Sequence, residues 1–185
     1  GNFNDNFYTG LLVSTSSTIV LNNITANGNG TEIAGFNNPH GFGAVLNNYS
    51  SGGSPKAVTL NGNNSFNNNY SGGLQVNSSG TITLNNVTAN DNRAGFGAYL
   101  DNQKPDGIGG VTVTNTGASA PSFSDNLGGD GLKVLSNGNI TLTNLNAIGN
   151  SGYGAYLDNY YGAIPKLVTL NGTNILNSNI SGGLY

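Results

Sequence analysis

The sequence predicts an all-β protein in which short parallel strands stack turn upon turn, a single-stranded parallel β-helix or solenoid. Three observations favour this fold: a phrase that returns seven times, apolar residues at alternate positions within it, and corners rich in Asn and Gly. Self-similarity at a period of about 20 to 50 residues is the signature of a repeat architecture. We expect the 185 residues to form one domain of about six full turns.

The recurring phrase starts with Gly and continues with apolar residues at alternate positions. Residues 73–76 (GLQV) and 97–100 (GAYL) are two of its copies. A period of two indicates a β-strand with one buried face, so the phrase is the first strand of each turn. The side chain at the first inward position alternates between large and small along the chain. The residues are, in order, Leu11, Ala44, Leu74, Ala98, Leu132, Ala155 and Leu184.

A second phrase shows the same alternation and predicts a second strand in each turn. One copy is residues 81–84 (TITL). The outward residue of this strand is usually threonine, which favours strands, and the resulting file comprises Thr59, Thr83, Thr112, Thr141 and Thr169. A third short strand follows in most turns, as at residues 87–89 (VTA).

The corner after the second strand is marked by one recurring asparagine. The residues are Asn23, Asn86, Asn115 and Asn144, and Gly replaces Asn in the other two turns. Asn and Gly tolerate left-handed backbone angles better than other residues. Stacked Asn side chains would also satisfy backbone groups that the strands leave unpaired. These four residues are therefore predicted to form a structural Asn corner.

The alternation of Leu and Ala indicates a unit of two turns, since a large side chain beside a small one lets neighbouring layers interdigitate. The units span about 10–72, 73–130 and 131–182. Longer loops at 47–56, 101–109 and 158–166 follow the first strand of each Ala-type turn, so they should project at every second turn. We interpret the chain as an internal segment of a longer repeat protein.

Composition excludes several classes of function. The chain is 36% hydrophobic and 7% charged, with a net charge of −3 and five Lys plus Arg. It therefore lacks the basic surface that nucleic acid requires. Without Cys it has neither disulfides nor a thiolate metal site. Its apolar runs are too short to span a bilayer, so membrane insertion is not expected.

The order Gly-x-Gly-[Leu/Ala]-x-[Val/Leu], then Ile-Thr-Leu-x-Asn, resembles the right-handed parallel β-helix repeats of pectate-lyase-like proteins. It is most similar to the Asn/Gly-rich β-strand repeats of large bacterial surface proteins of the adhesin type. The resemblance implies a right-handed coil, in keeping with the usual sense of β-crossovers. The low charge and the high content of Asn, Gly, Ser and Thr favour an extracellular or cell-surface location in bacteria. We expect a structural role as the shaft of a surface filament or adhesin. Its partners would be copies of itself or neighbouring repeats, end to end or side by side.

The same fold hosts polysaccharide lyases and glycosidases, so a carbohydrate-active β-helix is the alternative function. Asp101 and Asp158 occupy equivalent positions two turns apart, near the separation of the carboxylates in an inverting glycosidase. Both also follow a strand where Asp and Asn serve as turn residues, and we prefer that role. His40 is the only histidine and lacks partners for a triad or a metal site. We therefore expect no enzyme activity, catalytic residue, cofactor or metal.

Exposed aromatic residues predict a binding stripe along the Ala-type turns. Its members are Phe42, Phe96, Tyr99, Tyr153, Tyr156 and Tyr160, with Tyr161 next to the last. Aromatic rings stack on sugars or on protein, and two turns correspond to about 10 Å. A cell-surface glycan and a protein partner both remain open. The threonine file is similar to the Thr arrays of ice-binding β-helices, which gives ice binding as a further alternative.

Overall fold

The computed structural model describes residues 1–31, 41–49, 53–103, 107–116, 122–160 and 166–185. His40, Tyr161 and parts of the three long loops lie outside these ranges. Within them the chain forms fifteen β-strands and no helix. The predicted all-β class is therefore confirmed.

The strands belong to three parallel sheets. Six repeats contribute one strand to each of the two larger sheets, and the seventh adds a strand to the first sheet only. The first sheet contains β1 (Leu11–Ser14), β3 (Ala44–Asn47), β6 (Leu74–Asn77), β9 (Ala98–Asp101), β11 (Leu132–Leu135), β13 (Tyr153–Asp158) and β15 (Gly182–Leu184). The second contains β2 (Ile19–Asn22), β4 (Val58–Asn61), β7 (Ile82–Asn85), β10 (Val111–Thr114), β12 (Ile140–Thr143) and β14 (Val168–Asn171). The third pairs β5 (Asn64–Ser65) with β8 (Val87–Thr88).

The register of the first sheet places like positions of neighbouring repeats beside one another. Ala98 pairs with Leu74 on one side and with Leu132 on the other. This is the vertical order that the alternating phrase predicts. The sheet order is compatible with a parallel β-helix.

Two columns of the core have side-chain sizes that alternate out of phase with each other. In the first sheet, large Leu74 and Leu132 flank small Ala98, and all three are buried. In a second column, beside the third sheet, the order is reversed: Ala26, Phe66, Ala89, Phe123 and Ala147 follow one another and are all fully buried. A repeat with Leu in one column thus has Ala in the other. Each layer therefore contains a similar apolar volume, which close packing of the interior requires.

The third strand of each repeat is shorter than predicted. In the described chain, a two-residue strand forms there in two repeats, and single bridges such as Asn146 with Ile175 occur in some of the others. A fully buried Ala or Phe follows directly in the five inner repeats. The sheet is replaced at this point by side-chain hydrogen bonds, which are described below.

Candidate functional site

Three of the four predicted corner asparagines adopt left-handed backbone angles. The φ values are 53° at Asn23, 47° at Asn86 and 55° at Asn144. The Oδ1 of each accepts a hydrogen bond from a backbone N–H of the following repeat, for example from Thr116 to Asn86 at 2.8 Å. Gly62 and Gly172 take the equivalent position in two other repeats, with φ of 71° and 66°.

Asn115 differs from the other three although it occupies the same register. It does not adopt a positive φ, and its Oδ1 accepts the N–H of Val87 in the preceding repeat at 3.1 Å. Asn64 and Asn174 make this same contact in other repeats. The Asn corner therefore consists of two arrangements that alternate from one repeat to the next, as the side-chain sizes of the two core columns do.

A second, buried asparagine ladder runs through all seven repeats, and sequence reasoning missed it. Its members are Asn6, Asn29, Asn69, Asn92, Asn126, Asn150 and Asn179. At each step the backbone N–H and the Nδ2 of one asparagine both donate to the Oδ1 of the next, at 2.9 to 3.2 Å between Asn69 and Asn92. The five inner members are completely buried. The ladder thus satisfies backbone donors that no strand pairs.

The residue before each ladder asparagine has a left-handed conformation. In the described chain the φ values at Asp5, Gly28, Asn68, Asp91, Asp125, Gly149 and Ser178 lie between 55° and 72°. Two residues before the ladder asparagine, five successive repeats have an Asn or Ser whose side chain accepts a backbone N–H of the following repeat, opposite in direction to the ladder bonds. The Oδ1 of Asn67, for example, accepts the N–H of Asn90 at 2.8 Å.

The signal for this ladder is present in the sequence as a recurring triplet. Residues 4–6 (NDN), 27–29 (NGN), 67–69 (NNN) and 90–92 (NDN) share a final Asn after a residue that tolerates a positive φ. With 35 asparagines in the chain, the triplet is hard to separate from its background. The middle Asp, Asn, Gly or Ser identifies the position.

The predicted aromatic stripe is divided into two clusters. In the first cluster (Phe42, Phe96 and Tyr99), the rings of Phe42 and Phe96 are 6.1 Å apart and those of Phe96 and Tyr99 are 5.2 Å apart. The phenylalanine spacing is smaller than the predicted two-turn distance because Gly72 lies between them. A Cβ at Gly72 would come within 3.0 Å of the Phe42 ring, so the missing side chain lets the two rings lean together.

The second cluster comprises Tyr153, Tyr156 and Tyr185 together with Lys133. The rings of Tyr156 and Tyr185 stack with centroids 4.5 Å apart and an interplanar angle of 8°. The Lys133 ammonium lies 4.7 Å from the centre of the Tyr156 ring, a cation–π contact. Asp130 interrupts the stripe between the clusters, and its Oδ1 accepts the N–H of Tyr153 at 2.7 Å.

Tyr160 does not belong to either cluster. It is 85% exposed and lines a surface cavity of about 430 Å³ with Tyr156 and Tyr185. Its backbone N–H donates to Asp158 at 2.9 Å. The N–H of Gln103 donates to Asp101 at the same distance. Both carboxylates therefore terminate a strand by bonding two residues ahead, which is the turn role that Asp performs well.

Two tyrosines have raised pKa values. Burial, then the negative charge of Asp101 and a hydrogen bond to it, raise the pKa of Tyr99 to about 12. The pKa of Tyr156 is also raised, by desolvation and by the neighbouring Tyr185, Asp158 and Asp130. Both phenols are therefore neutral donors at physiological pH.

The threonine file lies on the outer face of the second sheet. Successive members pair in register, as Thr83 does with Thr59 and Thr112. Two residues further along each strand, the outward side chains form a second file. Its members are Asn22, Asn61, Asn85, Thr114, Thr143 and Asn171. These two files are uncharged, and the ice-binding prediction for them stays open.

Comparison with protein-family models, with curated proteins and with solved structures finds no match to this chain. The class that the fold defines is an all-β repeat protein with stacked parallel sheets. In the ranges that the structure covers, no three His, Cys, Asp or Glu residues gather into a potential metal site. The described residues also include no helix of the length and apolarity needed to cross a membrane.

Proposed function

We propose that the chain closes into a right-handed parallel β-helix and serves as a shaft segment of an extracellular repeat protein on the bacterial cell surface. The observation that supports this most directly is the buried asparagine ladder. Together with the backbone pairs of the two large sheets, it supplies hydrogen bonds in one direction through every repeat. Such bonding resists extension and bending along the direction in which repeats are added.

Each added repeat would lengthen the shaft by one strand spacing of about 4.8 Å. Duplication of residues 73–130, one unit of two turns, should therefore lengthen the particle by about 10 Å without changing its width. Small-angle X-ray scattering or electron microscopy measures both dimensions. An increase in width, or an increase in all directions, would contradict a shaft.

A second candidate is glycan binding by the two aromatic clusters, which is favoured by the partly exposed side chains of Tyr99, Lys133 and Tyr156 on the outer face of the first sheet. Tyr99 and Tyr156 lie two repeats apart in the same outward column, with Lys133 between them. Aromatic rings at such a spacing suit a sugar chain that runs parallel to the stack. A carbohydrate-degrading activity would be a variant of this candidate.

The double variant Tyr99→Ala/Tyr156→Ala tests the second candidate. Glycan-array binding that the wild type shows and the double variant loses would support it. The matched control is the double variant Thr83→Ala/Thr141→Ala, which truncates two outward-pointing side chains of the second sheet. Equal binding by the wild type and the tyrosine variant, or none by either, leaves the shaft as the favoured function.

A further inference from the structure

Parallel strands in register place the side chains of one column directly above one another, at about 4.8 Å. In the outward column of the first sheet, Tyr99 is followed by Lys133, Tyr156 and Tyr185. The backbone fixes the last step, since the N–H of Leu157 donates to the carbonyl of Tyr185 and the N–H of Tyr185 donates to that of Ala155, both at 3.0 Å. Tyr156 and Tyr185 are thus vertical neighbours, whereas Lys133 separates Tyr156 from Tyr99.

We propose that Tyr156 and Tyr185 form an oxidative cross-linking site, at which a dityrosine bond joins two neighbouring strands of the first sheet. Their rings are 4.5 Å apart and almost parallel, at 8°. Tyr153 is less well placed, because its ring lies 5.5 Å from Tyr185 at 50° and 6.1 Å from Tyr156 at 58°. The inference is independent of the proposed shaft role, because it concerns one pair of side chains.

The surroundings of the pair favour the reaction. Tyr185 is 62% exposed, so a diffusible oxidant reaches it. The Tyr156 ring stacks on the Tyr185 ring on one side and is held on the other side by the Lys133 ammonium, 4.7 Å from its centre. Tyr156 is therefore fixed between two neighbours, and its ring carbons face those of Tyr185.

The chemistry requires an oxidant, for which we name hydrogen peroxide with a haem peroxidase. Each phenol loses one electron and one proton, and the two radicals couple by a bond between their Cε carbons. The hydrogens on those carbons then leave the ring carbons and restore the two phenols. The pair has lost two hydrogen atoms in total, and the peroxide has become two molecules of water.

The test treats the whole chain, at high dilution, with peroxidase and hydrogen peroxide. The expected product is a monomer that has lost two hydrogen atoms, shows dityrosine fluorescence, and yields on proteolysis a peptide joining Tyr156 to Tyr185. Tyr156→Phe and Tyr185→Phe should each lose this product. Tyr153→Phe and Tyr160→Phe, matched substitutions in the same region, should retain it.

The Phe substitutions keep the ring and lie on an outward face, and circular dichroism checks that each variant retains its β-structure. Three results would overturn the proposal: a cross-link that survives in Tyr156→Phe, one that maps to another pair of tyrosines, or one that forms only between chains. A wild type that gives no dityrosine under conditions that cross-link free tyrosine would also overturn it.

Discussion

Truncation of one inner member of the buried ladder, Asn92→Ala, should destabilise the whole stack. The Oδ1 of Asn92 accepts two hydrogen bonds from Asn69, from the backbone N–H at 2.9 Å and from Nδ2 at 3.2 Å. Asn69 is completely buried, so water does not replace these bonds. Asn126 loses only one of its two donors, because the backbone N–H of residue 92 still reaches its Oδ1 at 3.1 Å.

The expected cost follows from the two donors that the truncation leaves unpaired. A buried donor without a partner costs about 1–3 kcal/mol. Two such donors on Asn69 give a loss of about 2–6 kcal/mol in the free energy of unfolding. A loss of this size is a large fraction of the stability of an ordinary domain.

The matched control is Asn67→Ser in the neighbouring side-chain column. Asn67 accepts the N–H of Asn90 at 2.8 Å, and Ser124 makes the equivalent bond to Ile148 through its hydroxyl at 3.0 Å. Since serine already performs this role in the chain, the control should cost less than about 1 kcal/mol.

Urea denaturation measures both variants, and native-state hydrogen exchange locates the loss, because repeat proteins do not always unfold in one step. The amide of Asn69 should lose its protection in Asn92→Ala. If Asn92→Ala proves no less stable than Asn67→Ser, the ladder hydrogen bonds do not contribute to the free energy of unfolding as the contacts indicate. Asn92→Asp adds a further check: its buried carboxylate should be most destabilising at neutral pH and less so in acid, where it is protonated.

Three further predictions concern the core, a corner and a surface carboxylate. Leu74→Ala should cost about 3–5 kcal/mol in denaturation experiments because it opens a cavity in a fully buried layer, whereas Leu12→Ala, at a position 69% exposed, should be close to neutral. Gly62→Ala should cost about 1–2 kcal/mol for its positive φ, and more because its Cβ would meet the Oδ1 of Asn23. Asn86→Gly at the equivalent corner keeps the backbone angle and loses only exposed hydrogen bonds from Thr116, which water can replace, so it should cost less than Gly62→Ala. Desolvation, and then the charge of Asp125, raise the pKa of Asp91. The folded state therefore favours the protonated carboxyl, and the stability that this group contributes is lost as the pH rises through its pKa in the folded state. Asp91→Asn, which reproduces Asn68 of the preceding repeat, should therefore raise the denaturation midpoint at pH near 7 and lose this advantage below about pH 3; an equal gain at both pH values would contradict the electrostatic cause.

The strands and their register could be predicted from the sequence because each depends on a binary pattern. Leu74 and Gln75 differ so strongly in polarity that only one of them belongs in the core. Once the recurring phrase is aligned, the pairing of Leu74 with Ala98 follows, and the structure has that pair.

The buried ladder could not be predicted in the same way. Asn69 is completely buried and Asn63 is exposed, yet they are the same residue type in one Asn-rich segment. What separates them is backbone conformation and the position of the next repeat. The division of the aromatic stripe depends on a similar detail, since it is Gly72 that lets Phe42 and Phe96 meet.

The two core columns both alternate with a period of two repeats, and the prediction that two repeats form the structural unit can be tested by deletion. Removing residues 73–96, one turn, would bring Ala44 next to Ala98 and Phe66 next to Phe123. The first contact leaves a void and the second overpacks the layer, each of which costs about 1–5 kcal/mol. Removing residues 73–130, two turns, would instead place an Ala-type layer against a Leu-type layer and preserve both alternations. Although it deletes more of the chain, the two-turn variant should therefore be the more stable of the two in urea; the opposite order would show that the alternation of side-chain size does not define the unit.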